Sequence, residues 1–221
     1  MFHVKQQSYL NDLFSFLRDQ RIDLDERQEN QIIEYVSLLQ AWGQRQNLIS
    51  KNDLPYIAER HLLPSLYYLY VALTSGEVKT ERIVDIGTGA GLPGIVFSVY
   101  FNDGRVTLVD SSRKKMLFLK EVKRRLGLNV ELLLGRVEEV APLQAFTLIT
   151  ARAVASLKDL IRLARPLVAA DGVLLTMKGQ QEVVASNTMP GGKIGIFNIN
   201  GVWQNFSDYL HGKTMVMVEF K

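Results

Sequence analysis

The run Ile83-Val84-Asp85-Ile86-Gly87-Thr88-Gly89-Ala90-Gly91-Leu92-Pro93-Gly94 joins a short apolar stretch to an acid and four closely spaced glycines. Residues without a Cβ let a backbone approach a ligand closely, and Pro93 suits the first turn of a following helix. The pattern is that of a strand running into a nucleotide-binding turn. A second acid, Asp110, ends the next apolar run about 20 residues on, where a ribose-binding carboxylate belongs. Two chemistries compete for this turn. Gly89-Ala90-Gly91-Leu92-Pro93-Gly94 matches the dinucleotide fingerprint G-x-G-x-x-G, which brings a pyrophosphate to a helix N-terminus. Asp85 argues against that ligand, because a carboxylate beside the turn repels phosphate and welcomes positive charge.

S-adenosylmethionine has no phosphate and carries a sulfonium and an amino group. Asp85-x-Gly87-x-Gly89-x-Gly91 is the D-x-G-x-G-x-G arrangement of class I methyltransferases, with Asp110 accepting the ribose hydroxyls. The expected cofactor contacts are therefore Asp85, Gly87, Gly89, Gly91 and Asp110. An NAD-dependent oxidoreductase stays open on the dinucleotide fingerprint. So do a small-molecule methyltransferase of the same fold and a noncatalytic ribosome-assembly factor, since fold does not fix substrate. Phosphoryl transfer is disfavoured because no G-x-x-x-x-G-K-[ST] is present. Three scattered histidines, no H-E-x-x-H and no cysteine imply no metal, no thiolate zinc site and no cysteine nucleophile.

The elements that must position these residues fall into two parts. Up to Gly76 the pattern is helical: Tyr9, Leu10, Leu13, Phe14 and Leu17 recur at helical spacing, as do Ile32, Ile33, Val36, Leu39 and Trp42. Asp25 with Gln28 three residues on forms a capping-box start for the second of these helices. A third helix starts near Asn52-Asp53 and Pro55, and Pro64 restarts the pattern before Leu66, Leu69 and Leu73. From Arg82 short apolar runs alternate with helical stretches, as in a parallel sheet covered on both faces. Strands are expected at 83–86, 106–109, 130–134, 147–150 and 173–177, with helices after Leu92, Ser111, Ser156 and Gln180. The tail predicts an antiparallel pair, 193–199 and 214–220, joined by a polar loop without a strong helix. The expected fold is α/β: a class I methyltransferase, Rossmann-like, mostly parallel sheet with an antiparallel C-terminal strand pair and an N-terminal helical annex. The annex takes residues 1–76 and the S-adenosylmethionine-binding methyltransferase domain residues 77–221.

At 221 residues the chain has room for one domain with a helical annex, and 47% hydrophobic with 22% charged residues is a globular composition. No apolar run reaches the roughly 18 residues of a membrane span, and the N-terminus shows no signal-peptide core. A cytoplasmic location without membrane contact is expected. The net charge of +3 is small, but its distribution is uneven. Residues 1–80 carry 8 basic and 10 acidic side chains, leaving 18 and 13 for the remainder. Seven basic residues lie between Arg113 and Arg125 against Glu121 alone. This segment buries Met116, Leu119, Val122 and Leu126 at helical spacing, so its cations turn outward. Lys114, Lys115, Lys120 and Arg124 are candidates for RNA phosphate contacts, which give salt-sensitive affinity without sequence specificity.

Further stretches complete a resemblance to the GidB/RsmG methyltransferases, which methylate N7 of a guanine in the decoding region of small-subunit (16S) ribosomal RNA. These are Asn47-Leu48-Ile49-Ser50, Arg60-His61-Leu62-Leu63, Leu108-Val109-Asp110-Ser111, Lys114-Lys115 with Phe118-Leu119, Arg136-Val137-Glu138, Ala151-Arg152-Ala153 and Lys178-Gly179. The likeness covers nearly the whole chain. It implies cofactor contacts at Gly87, Leu92, Val137, Glu138 and Arg152, and a partner in small-subunit ribosomal RNA or the ribosomal subunit. Asn47, Arg60 and His61 are candidates for the substrate side. No general base is expected, and Arg152 or Lys178 is the candidate for positioning the guanine through its O6. Where the family commonly has an acid before Ser-Leu, this chain has Pro64-Ser65-Leu66, so any role of that acid has no counterpart here.

Overall fold

The five apolar runs become parallel strands in the computed structural model, which describes residues 2–180 and 193–220. They are β1 (Ile83–Ile86), β2 (Val106–Asp110), β3 (Glu131–Leu134), β4 (Phe146–Ala151) and β5 (Val168–Gly179). Every residue of β1 and β2 is buried, as expected of central strands covered on both faces. β6 (Lys193–Asn198) and β7 (Lys213–Glu219) complete the sheet in the order β3-β2-β1-β4-β5-β7-β6, and β7 runs antiparallel to both neighbours. The strand order reverses between β1 and β4, which opens a crevice at their carboxyl ends.

The helices of the sheet region are α4 (Gly94–Phe101), α5 (Arg113–Leu126), α6 (Val137–Val140) and α7 (Leu157–Ala164). The helix expected after Gln180 lies among residues 181–192, outside the described residues. One expectation fails in the tail. The connection between β6 and β7 is not a bare polar loop but holds a helix, α8 (Gly201–Phe206), and a 3₁₀ turn, Asp208–Leu210. Asn200 caps α8, and Trp203 is fully buried edge-on against Phe16 and Tyr67. Six residues are too few for a period to show in the sequence.

The annex contributes α1 (Phe2–Asp19), α2 (Glu26–Gly43) and α3 (Leu63–Thr74). Asp25 and Gln28 make the reciprocal capping box that starts α2. The third helix is not continuous from Asn52: a 3₁₀ turn (Lys51–Tyr56) and a π-helical turn (Ala58–Leu62) precede α3, whose first turn holds Pro64. Leu13 and Leu17 of α1, Leu39 of α2 and Leu66 of α3 share one apolar cluster with Leu108 and Met217 of the sheet. Each such leucine stabilises the fold by about 1.5–3 kcal/mol relative to exposure. Leu157 and Leu160 of α7 cover the opposite face in a second cluster.

The annex also reaches the functional edge directly. The Tyr35 hydroxyl of α2 donates to the Ala90 carbonyl in the glycine turn at 2.9 Å. Tyr68 of α3 donates to the Ala151 carbonyl at 3.0 Å and accepts from the Met177 amide at 2.7 Å, bridging the ends of β4 and β5. Thr176 adds a second donor to the same carbonyl. These bonds fix the places where Arg152 and Lys178 leave the sheet.

Candidate functional site

The glycine turn is held from beneath by Asp85. Its carboxylate is fully buried and accepts from Thr88 Oγ1 at 2.5 Å, Thr150 Oγ1 at 2.8 Å and the Gly94 amide at 3.1 Å. Burial pushes its pKa up to about 6 against the lowering effect of those donors. Asp85 thus ties three segments together. Gly87, Gly89 and Gly91 all have positive φ, which a side chain disfavours. A Cβ on Gly87 would stand 2.8 Å from Val154, whereas one on Gly89 would meet nothing closer than 3.8 Å. Gly89 therefore leaves a cradle in front of the turn.

Asp110 closes that cradle from the end of β2. It accepts from the Gly89 amide at 2.9 Å and the Ser112 amide at 2.8 Å, and Lys115 Nζ lies 3.6 Å away. A carboxylate has about four lone-pair sites, so Asp110 keeps capacity for a diol. Leu92 and Val137 are buried, and Glu138 is exposed in the first turn of α6. An acid at the strand end, an open glycine cradle and apolar side chains fit an adenosyl group without phosphates.

A second region lies at the ends of β4, β5 and β7. Arg60, His61, Arg152, Lys178, Tyr209 and Lys213 line a cavity of about 480 Å³, together with Pro64 and His211. Arg152 donates to the His61 carbonyl at 3.0 Å and pairs with its Nδ1 at 2.8 Å. Because a guanidinium only donates, Nδ1 accepts, and the neutral ring carries its proton on Nε2, which faces Asp53 at 3.3 Å. Burial, reinforced by the Arg152 charge, lowers His61 to about 4. Asp53 also takes Arg60 at 2.8 Å; these partners hold its carboxyl below the ordinary range although burial opposes them. Lys178 is buried and donates to the Ala155 carbonyl.

The structure brings Arg60, His61, Arg152 and Lys178 together at one cavity, so that Arg152, also an expected cofactor contact, lies beside the substrate-side candidates, but it leaves Asn47 exposed beyond α2 and outside this cavity. Asp53, Tyr209, His211 and Lys213 were missed. Asp53 lies only eight residues from His61, but the pairing depends on the 3₁₀ and π turns between them. The C-terminal residues arrive through the antiparallel pairing of β7 with β5, and no motif marks them. On α5, Lys114 and Lys120 are exposed, Arg124 is paired with Glu121 at 2.6 Å, and Lys115 turns toward Asp110. Among the described residues no group of three or more potential ligands could hold a metal, and no helix is long and apolar enough to cross a membrane.

The reversed strand order, the antiparallel β7 and the glycine turn define a class I methyltransferase fold. Among solved structures, an S-adenosylmethionine-dependent methyltransferase from Aquifex aeolicus superposes with a TM-score of 0.55 at 16% identity, covering 77% of this chain and 96% of that one. Geranyl diphosphate C-methyltransferase from Streptomyces coelicolor, solved with S-adenosyl-L-homocysteine, gives 0.52 at 16% identity, covering 80% and 85%. Residues 28–189 match the GidB family, described as rRNA small subunit methyltransferase G, and the chain belongs to that family. It is 37% identical over 172 residues to ribosomal RNA small subunit methyltransferase G of Escherichia coli O17:K52:H18, covering 77% of this chain and 80% of that protein. The protein of that name from Ectopseudomonas mendocina is 38% identical over 174 residues, covering 78% and 79%. Membership decides between the readings left open at the glycine turn, in favour of a methyltransferase.

Proposed function

We propose that this chain methylates N7 of a guanine in small-subunit ribosomal RNA, with S-adenosylmethionine as cofactor, in the cytoplasm where its substrate is found. The observation that carries the reading is the placement of a cation-lined cavity beside a phosphate-averse glycine turn, in a chain of this family. S-adenosylmethionine supplies an electrophilic methyl group that can pass in line to N7, whose lone pair is free in the neutral base. Gly87, Gly89 and Gly91 form the cradle, Leu92 and Val137 the apolar wall, and Asp110 receives the ribose. Glu138 stands where a carboxylate can accept from the adenine amine. Asp85 acts as a positioning residue through Thr88 and Gly94.

The chain need supply no base for this transfer. His61 has both ring nitrogens facing partners, Arg152 and Asp53, so it orients Arg152 rather than moving a proton. Arg152 and Lys178 are donors at the cavity, and a donor to O6 separates guanine from adenine, which carries a donor there. Holding N7 against the methyl group can supply about 7–11 kcal/mol of the barrier in well-aligned cases. Labelled methyl transfer to small-subunit particles from cells lacking this protein, followed by mapping, tests the reading. Label on one guanine N7 is expected; label on no nucleotide, or on another atom, overturns it.

A further inference from the structure

The charge of the cavity is out of balance. Among the described residues no aspartate or glutamate lines it. Arg60 is neutralised by Asp53 behind the wall, whereas among the described residues neither Arg152 nor Lys213 makes a salt bridge, and the buried Asp85 carboxylate acts on Arg152 through space without a hydrogen bond. The bonds of Arg152 go to the carbonyl and ring of His61, both uncharged. Lys213 Nζ donates to the Tyr209 carbonyl at 2.5 Å and sits 3.6 Å from the centre of the Tyr209 ring, also uncharged partners. Two cations held on neutral acceptors beside one cavity repel each other unless a ligand brings an anion. Burial and the nearby Arg152 both lower the Lys213 pKa, in keeping with a positive potential at this cavity. The Lys213 bond to Tyr209 and the His61 contacts of Arg152 aim both groups before any ligand arrives.

We infer that Arg152 and Lys213 form a phosphate subsite, which takes a backbone phosphate of the nucleotide whose base is methylated. The inference rests on the RNA methyltransferase reading and adds to it a residue, Lys213, at the far end of the chain. A nucleobase with its phosphate is well within a cavity of about 480 Å³. Arg152 supplies a planar fork suited to phosphate, and Lys213 a point charge. The subsite explains why the C-terminal pair belongs to the site: β7 carries the second cation to the end of β5.

The test compares guanosine 5′-monophosphate with guanosine, by calorimetry on the full chain, in wild type, Lys213→Gln and Lys213→Arg. The wild type should prefer the monophosphate by roughly tenfold or more, as a charge-assisted contact gives. Lys213→Gln should lose that preference, and Lys213→Arg should keep it. With ribosomal RNA the Gln variant should raise KM at unchanged KM for S-adenosylmethionine, and the salt slope of RNA binding should fall by about 0.7. A wild type without the preference, or a Gln variant that retains it at an unchanged melting temperature, overturns the subsite. Absence of methyl transfer by the wild type defeats the functional reading instead, and the nucleotide comparison still decides the subsite.

Discussion

The two halves of the crevice handle charge in opposite ways. At the glycine turn the acids face donors of the chain itself: Asp85 has Thr88, Thr150 and Gly94, and Asp110 has Gly89, Ser112 and nearby Lys115. In the cavity beyond β4, the hydrogen bonds of Arg152 and Lys213 among the described residues go to neutral partners. The acids of the first region are held by the chain's own donors; these two cations of the second are held in place without, among the described residues, a salt-bridge partner. A site that must rebind one small cofactor gains from a loop whose acids are already held in position. One that receives a polyanion gains from charge left uncompensated.

The most damaging change should strike the closed half. At Gly94 an added Cβ would stand 2.1 Å from Leu108 and 2.9 Å from the Asp85 Cβ, with no flexible end to yield on the Asp85 side. Gly94→Ala is expected to cost about 3 kcal/mol or more and lower the melting temperature by roughly 6–12 °C. A melting temperature within a degree or two of wild type would mean that the turn is not packed as described.

The two buried titratable groups sharpen the contrast through pH. The folded-state pKa of His61 is lowered to about 4, so the unfolded chain takes up its proton first, and this contribution to stability is lost as pH falls from about 6.5 to 4. Asp85 is raised to about 6, so the folded chain takes up that proton first, and stability rises as pH falls through the same window. Each effect is at most about 3 kcal/mol, and they oppose each other. Asp85→Asn should therefore turn a nearly flat contribution into a fall between pH 7 and pH 4.5, measured by urea unfolding. Parallel profiles for variant and wild type would show that Asp85 is not the opposing group.

Gly87→Ala is subtler, because the atom it would meet is a methyl of half-exposed Val154. It should weaken S-adenosylmethionine binding about tenfold through its positive φ and the displaced Val154 loop, with the fold intact. Wild-type affinity by calorimetry would remove Gly87 from the cofactor site. The smallest effect belongs to α5. Replacing Lys114 and Lys120 should reduce the salt slope of RNA binding by about 0.7 per phosphate contact, with cofactor affinity unchanged. Arg124, already paired with Glu121, should contribute less. An unchanged slope in the double variant would make this face a solvated one.

The same contrast governs what the sequence reveals. The glycine turn is contiguous, and its residue types are dictated by local geometry, so the turn, its strand and the acid of β2 are legible from spacing. The cavity is assembled from positions 60, 61, 152, 178 and 213, which only the fold unites. Arg60-His61 and Arg152 stand out through family-like stretches, whereas Lys213 falls at the end of the polar loop just before the alternating run 214–220, and nothing in its neighbours marks it. Asp85 shows the limit of even a legible motif. The sequence places it before the turn as a cofactor contact, whereas in the structure it is buried beneath the turn with Thr88, Thr150 and Gly94 facing its oxygens. The short α8 was missed because Trp203, not periodicity, holds it in place.

The division of labour between the two halves can be tested in one kinetic experiment, with both substrates varied for wild type, Asp110→Asn and Lys213→Gln. Asp110→Asn should raise KM for S-adenosylmethionine and leave that for RNA unchanged, while Lys213→Gln should do the reverse. If both variants raise the same KM, the two regions are not separate sites, and the account of a closed cofactor half beside an open anion-receiving half is contradicted.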